Sequence, residues 1–539
     1  MAASSSSQGQ HQQFPLKSLV EEFFKAAVYG AILVHAVKSL FNGTTTPQSW
    51  VSLFFNAAAA ALSGKALMSE IYFLLVQRPK LPPGSLGLPL LGDIFPLVVR
   101  YKGALLPMSF DKAKTYQSLV YINSILGNTI VTLGDSDSLT WLWNNDRKSF
   151  TESSWPPNIA ALLGPTAVAN LNGRHHRTLR RLMEPFYAPT FVANYMDTMI
   201  KTTDDDLEDW CKSSSGEENE QVVSGEVFKL YALRLFMISS FGHVDEEELN
   251  VLHDDYKEWI GGFLTLTGTL RVSGWSFDTA MKARDRIMAT IEKLMEQFLR
   301  ENPDGSERAK TTVMGRMMYT KGDDGIGLTP EEIKDNLLNL IFAGHDTTYA
   351  SINTVMHHLS QHPEVQAALV EEVSKFQEPL DLEEITKKAP VLNAVMHESW
   401  RTDPPVPFAF RKATKKPLDY QGYHFPNGTT FSYSIGLASR QENVYPSAKS
   451  FHMERFLPSD HPLSCSEWTS GVDPIQGRAD YPIFGGGGHV CLGKHFAKLE
   501  LRVIMARMYK NYHVAVSNNR KVDAPVNGWA VDFQLKKKT

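Results

Sequence analysis

The chain has 539 residues, more than one ordinary hydrophobic core serves, which points to a large enzyme or to several domains. A hydrophobic share of 43% with 21% charged residues excludes a mostly disordered chain, and a net charge of −5 offers no overall electrostatic footprint for nucleic acid. Mean hydropathy of −0.23 excludes a polytopic membrane protein, and three cysteines, Cys211, Cys465 and Cys491, exclude a disulfide framework and fit a reducing compartment.

Residues 1–13 are rich in Ser and Gln and are expected to be disordered. Apolar runs follow at Ala26–Val37, Trp50–Leu62 and Ile71–Val76, each shorter than the ~20 residues of a clean bilayer span. Their density favours membrane anchoring by one or two passes over surface amphipathic helices. A helical hairpin would put the sequon Asn42-Gly43-Thr44 on the lumenal side and Arg78 and Lys80 in the cytosol. No small-residue cleavage site marks a secretory signal. Leu81 to Pro89 is a Pro/Gly segment that reads as a stiff hinge. The expected organisation is a tail and anchor over 1–80, a hinge over 81–100, and one large body over 101–539, with Asp204–Asp209 and Ser213–Glu220, Asn302–Arg308 and Leu463–Asp480 as surface loops.

Strand-like runs in that body are few: Leu119–Ile125, Thr129–Leu133 and Thr429–Ser434. Helical spacing of apolar residues dominates 174–210, 225–260, 280–300, 330–360 and 363–376, so the fold class is mainly α with a minor β-sheet. Thr329-Pro330-Glu331-Glu332 is a capping box with proline at the first helical position, and it opens a helix running to about His362. That helix carries Ala343-Gly344-His345-Asp346-Thr347-Thr348 in its middle. Glycine and threonine are poor helix formers, so a local distortion where a ligand approaches the backbone is expected there. Asp346 and Thr347 on a solvent face is the bland alternative.

The most informative segment is Ile483-Phe484-Gly485-Gly486-Gly487-Gly488-His489-Val490-Cys491-Leu492-Gly493, ahead of a helix over about 494–512. The glycines permit close backbone approach to a flat cofactor. Cys491 stands before a helix N-terminus, which favours thiolate. One thiolate without clustered Cys or His is a poor zinc site, and Gly493-Lys494-His495 lacks the hydroxyl of a phosphate loop. What remains is an axial thiolate to haem iron, or a structural cysteine in a turn.

These motifs together resemble the cytochrome P450 family. Its haem loop is matched by Phe484, Gly487, His489, Cys491 and Gly493, and its oxygen-activating helix by Ala343, Gly344, Asp346, Thr347 and Thr348. Its Glu-x-x-Arg pair is matched by Glu398 and Arg401, with a partner segment at Phe451–Phe456 that contains Arg455. Two positions depart from the common pattern, His489 for Arg and Met453 for Pro, and neither threatens haem binding. The hinge and His176 are similar to the branch of retinoic-acid hydroxylases and plant hormone, sterol and terpenoid oxidases.

The resemblance implies the P450 fold, with haem b between the long helix and the cysteine loop and Cys491 as iron ligand. Phe484 would pack beside the ring, and Glu398, Arg401 and Arg455 would form a buried structural triad. Asp346 and Thr347 would organise proton delivery to dioxygen. Haem carboxylates need cations, for which His176, Arg180, Arg411 and His489 are the candidates. A lipophilic isoprenoid-, steroid- or retinoid-like substrate would meet Trp155, Leu162, Leu163, Phe342, Ala343, Phe408 and Phe410. The apolar stretch Trp259–Phe277 would touch the membrane. Arg177, Arg181, Lys494 and Lys498 would offer a basic patch to an NADPH-cytochrome P450 reductase or similar flavoprotein. The expected setting is the endoplasmic reticulum membrane with the body facing the cytosol. Alternatives are an O2-independent haem-thiolate isomerase or dehydratase, against which the Asp346-Thr347 pair argues, and a non-catalytic haem- and lipid-binding protein.

Overall fold

Thr329 fixes the start of the longest helix, Pro330–Gln361. Its hydroxyl accepts from the Glu332 N–H at 3.2 Å, and the Glu332 carboxylate accepts from the Thr329 N–H at 2.9 Å. The computed structural model describes residues 31–34, 37, 57, 60, 61, 63–65, 67, 68, 71, 80–87, 92–102, 104–125, 128–214, 222–243, 245–265, 268–322, 325–468, 479–522 and 527–538. Most of the expected anchor over 26–76, the sequon at Asn42, residues 88–91 of the expected hinge and residues 469–478 lie outside the described residues. Among those described, no helix is long and apolar enough to cross a membrane.

The chain divides into two compact units, one of residues 1–133 and 415–432, the other of 134–414 and 433–539. In the first, Val120–Ile125 pairs antiparallel with Asn128–Leu133, as their β-branched alternation predicts, and Leu418–Tyr420 pairs with Tyr423–Phe425. Leu81–Ser85 are buried, and Pro83 accepts a hydrogen bond from the Ile122 N–H at 2.9 Å. The described part of the Pro/Gly segment is therefore docked on a strand, not a free spacer. Gly84 makes that contact possible, because a Cβ there would lie 2.2 Å from the Ile122 side chain.

The second unit is mainly helical. The single periodic segment expected over 174–210 is broken, because Pro185 and Pro189 cannot continue a helix. Helix Gly173–Met183 ends there, and Met196–Ser214 begins afterwards and absorbs Asp204–Asp209, which were expected in a loop. Likewise 225–260 divides into Val227–Phe241 and Glu246–Ile260. Gly242 caps the first at φ +76°, and the Asp245 side chain caps the second by accepting from Glu247 and Glu248 N–H. A three-stranded antiparallel sheet of Val223–Ser224, Gly528–Lys537 and Tyr512–Val522, and the pair Thr151–Ser153 with Phe408–Ala413, were not anticipated. Pro330–Gln361 buries residues along almost its whole length against one extended apolar core. It is α-helical throughout, so the expected distortion at 343–348 does not occur. The hydroxyls of Thr347 and Ser351 instead turn back to the carbonyls of Ala343 and Thr347, at 2.6 and 2.7 Å, without breaking the ladder.

Candidate active site

The cysteine loop is held by a helix distant in sequence. Trp143 and Asp146 lie on Ser136–Arg147, and the loop closes on them. A Cβ on Gly486 would lie 2.4 Å from the Trp143 ring, and one on Gly487 2.5 Å from the Asp146 carboxylate. At these two positions the glycines therefore serve close packing on protein, a different reason from the cofactor approach expected of them. The Cys491 N–H donates to Phe484 O at 2.8 Å, and the helix Lys494–Asn511 starts three residues on. Cys491 carries accessible surface, yet burial among protein atoms pushes its thiol up against the opposing Gly493 N–H and the charges of Arg180 and Lys494. Desolvation and the helix N-terminus act on this thiol in opposite senses.

Three of the four expected carboxylate partners meet beside this loop, and Arg180 is close by. His176, buried, stacks on His489 with ring centroids 3.9 Å apart. Burial, with His489 and Arg180 next in effect, pushes His176 down to about 3. Arg180 instead pairs with Glu184 at 2.8 Å. His489 Nε2 lies 3.2 Å from Leu171 O, and its Nδ1 is 3.8 Å from Asp146, too far for a hydrogen bond. Arg411 Nε is 3.5 Å from Asp146, and Gly488 N–H donates to Asp146 at 2.7 Å. Burial opposes ionisation of Asp146, but His489, Arg411 and the Gly488 N–H hold its carboxyl below the usual range. Asp146 organises both Arg411 and His489 and was invisible as a site residue in the sequence.

Arg411 Nη2 and His489 Nδ1 are buried with no hydrogen-bond partner among the described residues. Two such polar nitrogens, beside an accessible thiol, suit an anion-bearing cofactor coordinated by sulfur. Haem, with its propionates, fits that set.

Glu398 lies fully buried under the loop's supporting segment. Arg401 donates to both its oxygens at 2.7 and 2.8 Å, and Arg455 to one at 3.3 Å. Arg401 also donates to the carbonyls of Ser439, Ala448 and Ser450, and the His452 N–H donates to Glu398. The expected triad is thus assembled and fastens the 439–455 segment by its backbone. Next to it, Trp400 packs edge-on against Phe484 at 5.4 Å and donates to Ser351 on the long helix at 2.9 Å.

On the long helix, Asp346 is buried, which excludes the solvent-face alternative for it. Tyr256 donates to Asp346 Oδ2 at 2.6 Å, and the His345 ring reaches Oδ1 at 3.2 Å. Burial works against ionisation, but His345 and the Tyr256 hydroxyl hold the Asp346 carboxyl below the usual range. Thr347 is half-buried and bonded to Ala343 O, so the acid and the hydroxyl are adjacent without bonding each other. Ala343 is exposed between buried Ile341 and His345. Phe342 packs on Phe263 at 4.8 Å and Trp259 at 6.1 Å.

The other expected lining residues divide. Phe408 and Phe410 are half-buried on one face of a strand. Trp155 is half-buried and tied to Ala169 O at 3.1 Å, whereas Leu162 and Leu163 have no accessible surface and belong to the core. Of the basic residues, Arg177 and Arg181 are exposed, and Lys494 and Lys498 are half-buried, with Lys498 Nζ 5.3 Å over the Phe484 ring.

Residues 82–539 match the family model described as Cytochrome P450. Among curated relatives the chain is similar to cytochrome P450 26A1 of Xenopus laevis, 24% identical, covering 80% of this chain and 84% of the relative. It is as similar to abscisic acid 8'-hydroxylase 2 of Arabidopsis thaliana, 24% identical over 81% of this chain and 85% of that one. The solved structure of retinoic acid bound cyanobacterial CYP120A1 superposes with a TM-score of 0.72 at 23% identity, covering 85% of this chain and 99% of that one, and shares the fold.

Proposed function

The chain belongs to the cytochrome P450 family, and from that premise we propose that it hydroxylates an isoprenoid, steroid or retinoid-like molecule with electrons from an NADPH-dependent flavoprotein reductase. As a P450 it is a haem-thiolate monooxygenase that uses O2, a redox partner and a lipophilic substrate. The observation that carries the substrate class is the aromatic wall of Phe342, Phe263 and Trp259 beside the exposed Ala343 in the middle of the long helix. Relatives named for retinoic acid and abscisic acid, both isoprenoid acids, support the same class.

In this reading Cys491 is the iron ligand, and Arg411 and His489 hold the propionates through the nitrogens left unpartnered. His176 supports His489 by stacking, and Arg180 contributes charge near the thiol. Haem bound through a thiolate supplies the activation of dioxygen. The chain's own part is to hold the substrate against Ala343 and Phe342, to keep water out with the aromatic wall, and to deliver protons from Asp346, with Thr347 beside it. Arg177 and Arg181 suit an acidic reductase surface, and we place the body at the endoplasmic reticulum membrane through the apolar runs of 26–76.

Carbon monoxide difference spectra of the reduced protein test the ligand: Cys491→Ser should abolish the thiolate band and Cys211→Ser should keep it. Incubation with reductase, NADPH and a panel of retinoids, terpenoid acids and sterols tests the class. Consumption of NADPH without an oxygenated product across the panel would refute it.

A further inference from the structure

Two histidines outside the haem site touch Asp346 directly or at one remove. His345 is 2% exposed, and its Nε2 lies 3.3 Å from His253 Nδ1, while its Nδ1 lies 3.2 Å from Asp346 Oδ1. His253 and Tyr256 stand three residues apart on helix Glu246–Ile260, so one helix face carries both. Tyr256 occupies the second Asp346 oxygen, and its ring centroid is 4.0 Å from that of His345. His253 is only half-buried. The line therefore runs from an accessible imidazole through a buried one to a buried carboxylate.

We propose that His253 and His345 form the solvent inlet of a proton relay that ends on Asp346, an inference that rests on the proton-delivering role read for Asp346 above. An ionised carboxylate only accepts, so the network assigns the His345 proton to Nδ1 and makes Nε2 the acceptor of the His253 Nδ1–H. His253 Nε2 is then a base toward water. A proton bound there releases the Nδ1 proton to His345 Nε2, and His345 in turn releases its Nδ1 proton to Asp346 Oδ1. Each N–H broken is matched by one formed, and one proton enters for each delivered. Both rings end in the other tautomer and turn back before the second proton that monooxygenation requires.

The charges around the line favour transit over storage. His253 faces His345 from the long helix, Lys229 from Val227–Phe241, and Lys257 and Asp254 from its own helix. Asp346 faces His345, Tyr256 and Lys229. Burial first, and the His345 ring next, push His253 down to about 4, so it rests neutral and does not trap a proton.

The test uses the full haem-loaded chain, with His253→Phe, His345→Phe, the milder His253→Gln and Asp346→Asn, each checked by its reduced carbon monoxide spectrum. With reductase and NADPH, the His253 variants should turn over about tenfold more slowly and release more hydrogen peroxide per dioxygen consumed, with an altered solvent deuterium isotope effect. Oxidation of guaiacol driven by cumene hydroperoxide needs no proton from this line and should stay within about twofold. Independently of turnover, carbethoxylation of His253, read by mass spectrometry against pH, should show a midpoint near 4. Equal loss with both oxidants, or a His253 that rests charged at neutral pH, overturns the relay. If Asp346→Asn slows reductase-driven turnover and His253→Phe does not, the inlet is wrong and the role of Asp346 stands. If neither slows it, the role of Asp346 fails and the relay with it.

Discussion

Arg401 grips both oxygens of Glu398, at 2.7 and 2.8 Å, with neither side chain exposed to solvent. The pair is three residues apart on one helix, which gives the guanidinium its parallel, two-bond approach. What makes the pair matter is the rest of Arg401, which donates to three carbonyls of the 439–450 segment. A buried charge thereby holds a backbone that has no regular ladder of its own.

Glu398→Gln should remove the carboxylate and leave Arg401 and Arg455 buried without their counter-ion. Breaking such a pair by one partner costs about 3–5 kcal/mol, a large share of any domain's stability. The expected result is a protein that loses its cooperative thermal transition at physiological temperature and does not retain haem. Arg401→Lys should fail almost as badly, since one ammonium cannot serve two carboxylate oxygens and three carbonyls. Circular dichroism melts and haem content per chain check both.

A second buried acid works in the opposite sense. Glu500 is 3% exposed, and its one side-chain partner among the described residues is the Thr348 hydroxyl at 3.1 Å. Burial pushes it up to about 8 from an ordinary 4.5. The folded state then holds a proton that the unfolded state has lost, so stability is full below pH 4.5 and declines as pH rises through 8. From pH 4.5 to 7 that amounts to roughly 3 kcal/mol for this group. Glu500→Gln keeps a partner for Thr348 and stays neutral, so it should remove this slope and raise stability at pH 8. Denaturant midpoints between pH 5 and 8.5 would show it; parallel curves for the two proteins would refute it.

The parts of this molecule that could be read from sequence are those whose chemistry is local. The capping box at Thr329, the glycine-cysteine loop and the i, i+3 pair Glu398–Arg401 each sit within a few residues. Their residue types have few other uses in combination. Asp146 could not be read, because its importance comes from Arg411, Gly488 and His489, far along the chain, and its own helix carries no motif. Tyr256 and His253 were hidden in the same way. Their helix was seen as a periodic stretch, but which face meets Asp346 is a matter of packing. The sheet of Tyr512–Val522 with Gly528–Lys537 escaped because Asn, Arg and Lys fill its outer positions and dilute the period-two signal carried by Val514 and Val516.

Gly486→Ala should separate packing from chemistry in the cysteine loop. The added methyl would meet the Trp143 ring at 2.4 Å, a contact that cannot exist without displacing the loop or the helix Ser136–Arg147. Overpacking of this kind costs about 1–3 kcal/mol. Gly486→Ala combined with Trp143→Leu should recover part of the loss, because the smaller side chain leaves room for the methyl. Thermal midpoints of the single and double variants measure the coupling, and strict additivity would mean the two groups do not meet.

Arg411→Ala should weaken haem retention without unfolding the second unit. Its Nη2 has no hydrogen-bond partner among the described residues, and its other ties are to Phe410 O at 2.8 Å, to Asp146 at 3.5 Å and to the Tyr433 ring at 5.5 Å. A guanidinium held for internal structure would fill its donors, whereas one held for a propionate leaves a donor free. Removing it should therefore speed haem transfer to apomyoglobin by about tenfold or more, the order expected for a lost charge-assisted hydrogen bond of roughly 1.5–3 kcal/mol. Arg411→Lys should recover part of that retention, since the charge persists without the fork. Asp146→Asn should mimic it in part, by releasing Arg411 and the Gly488 N–H from the carboxylate that orients them. If Arg411→Ala lowers the melting point of the haem-free chain as much as that of the loaded one, the arginine serves the fold and not the cofactor.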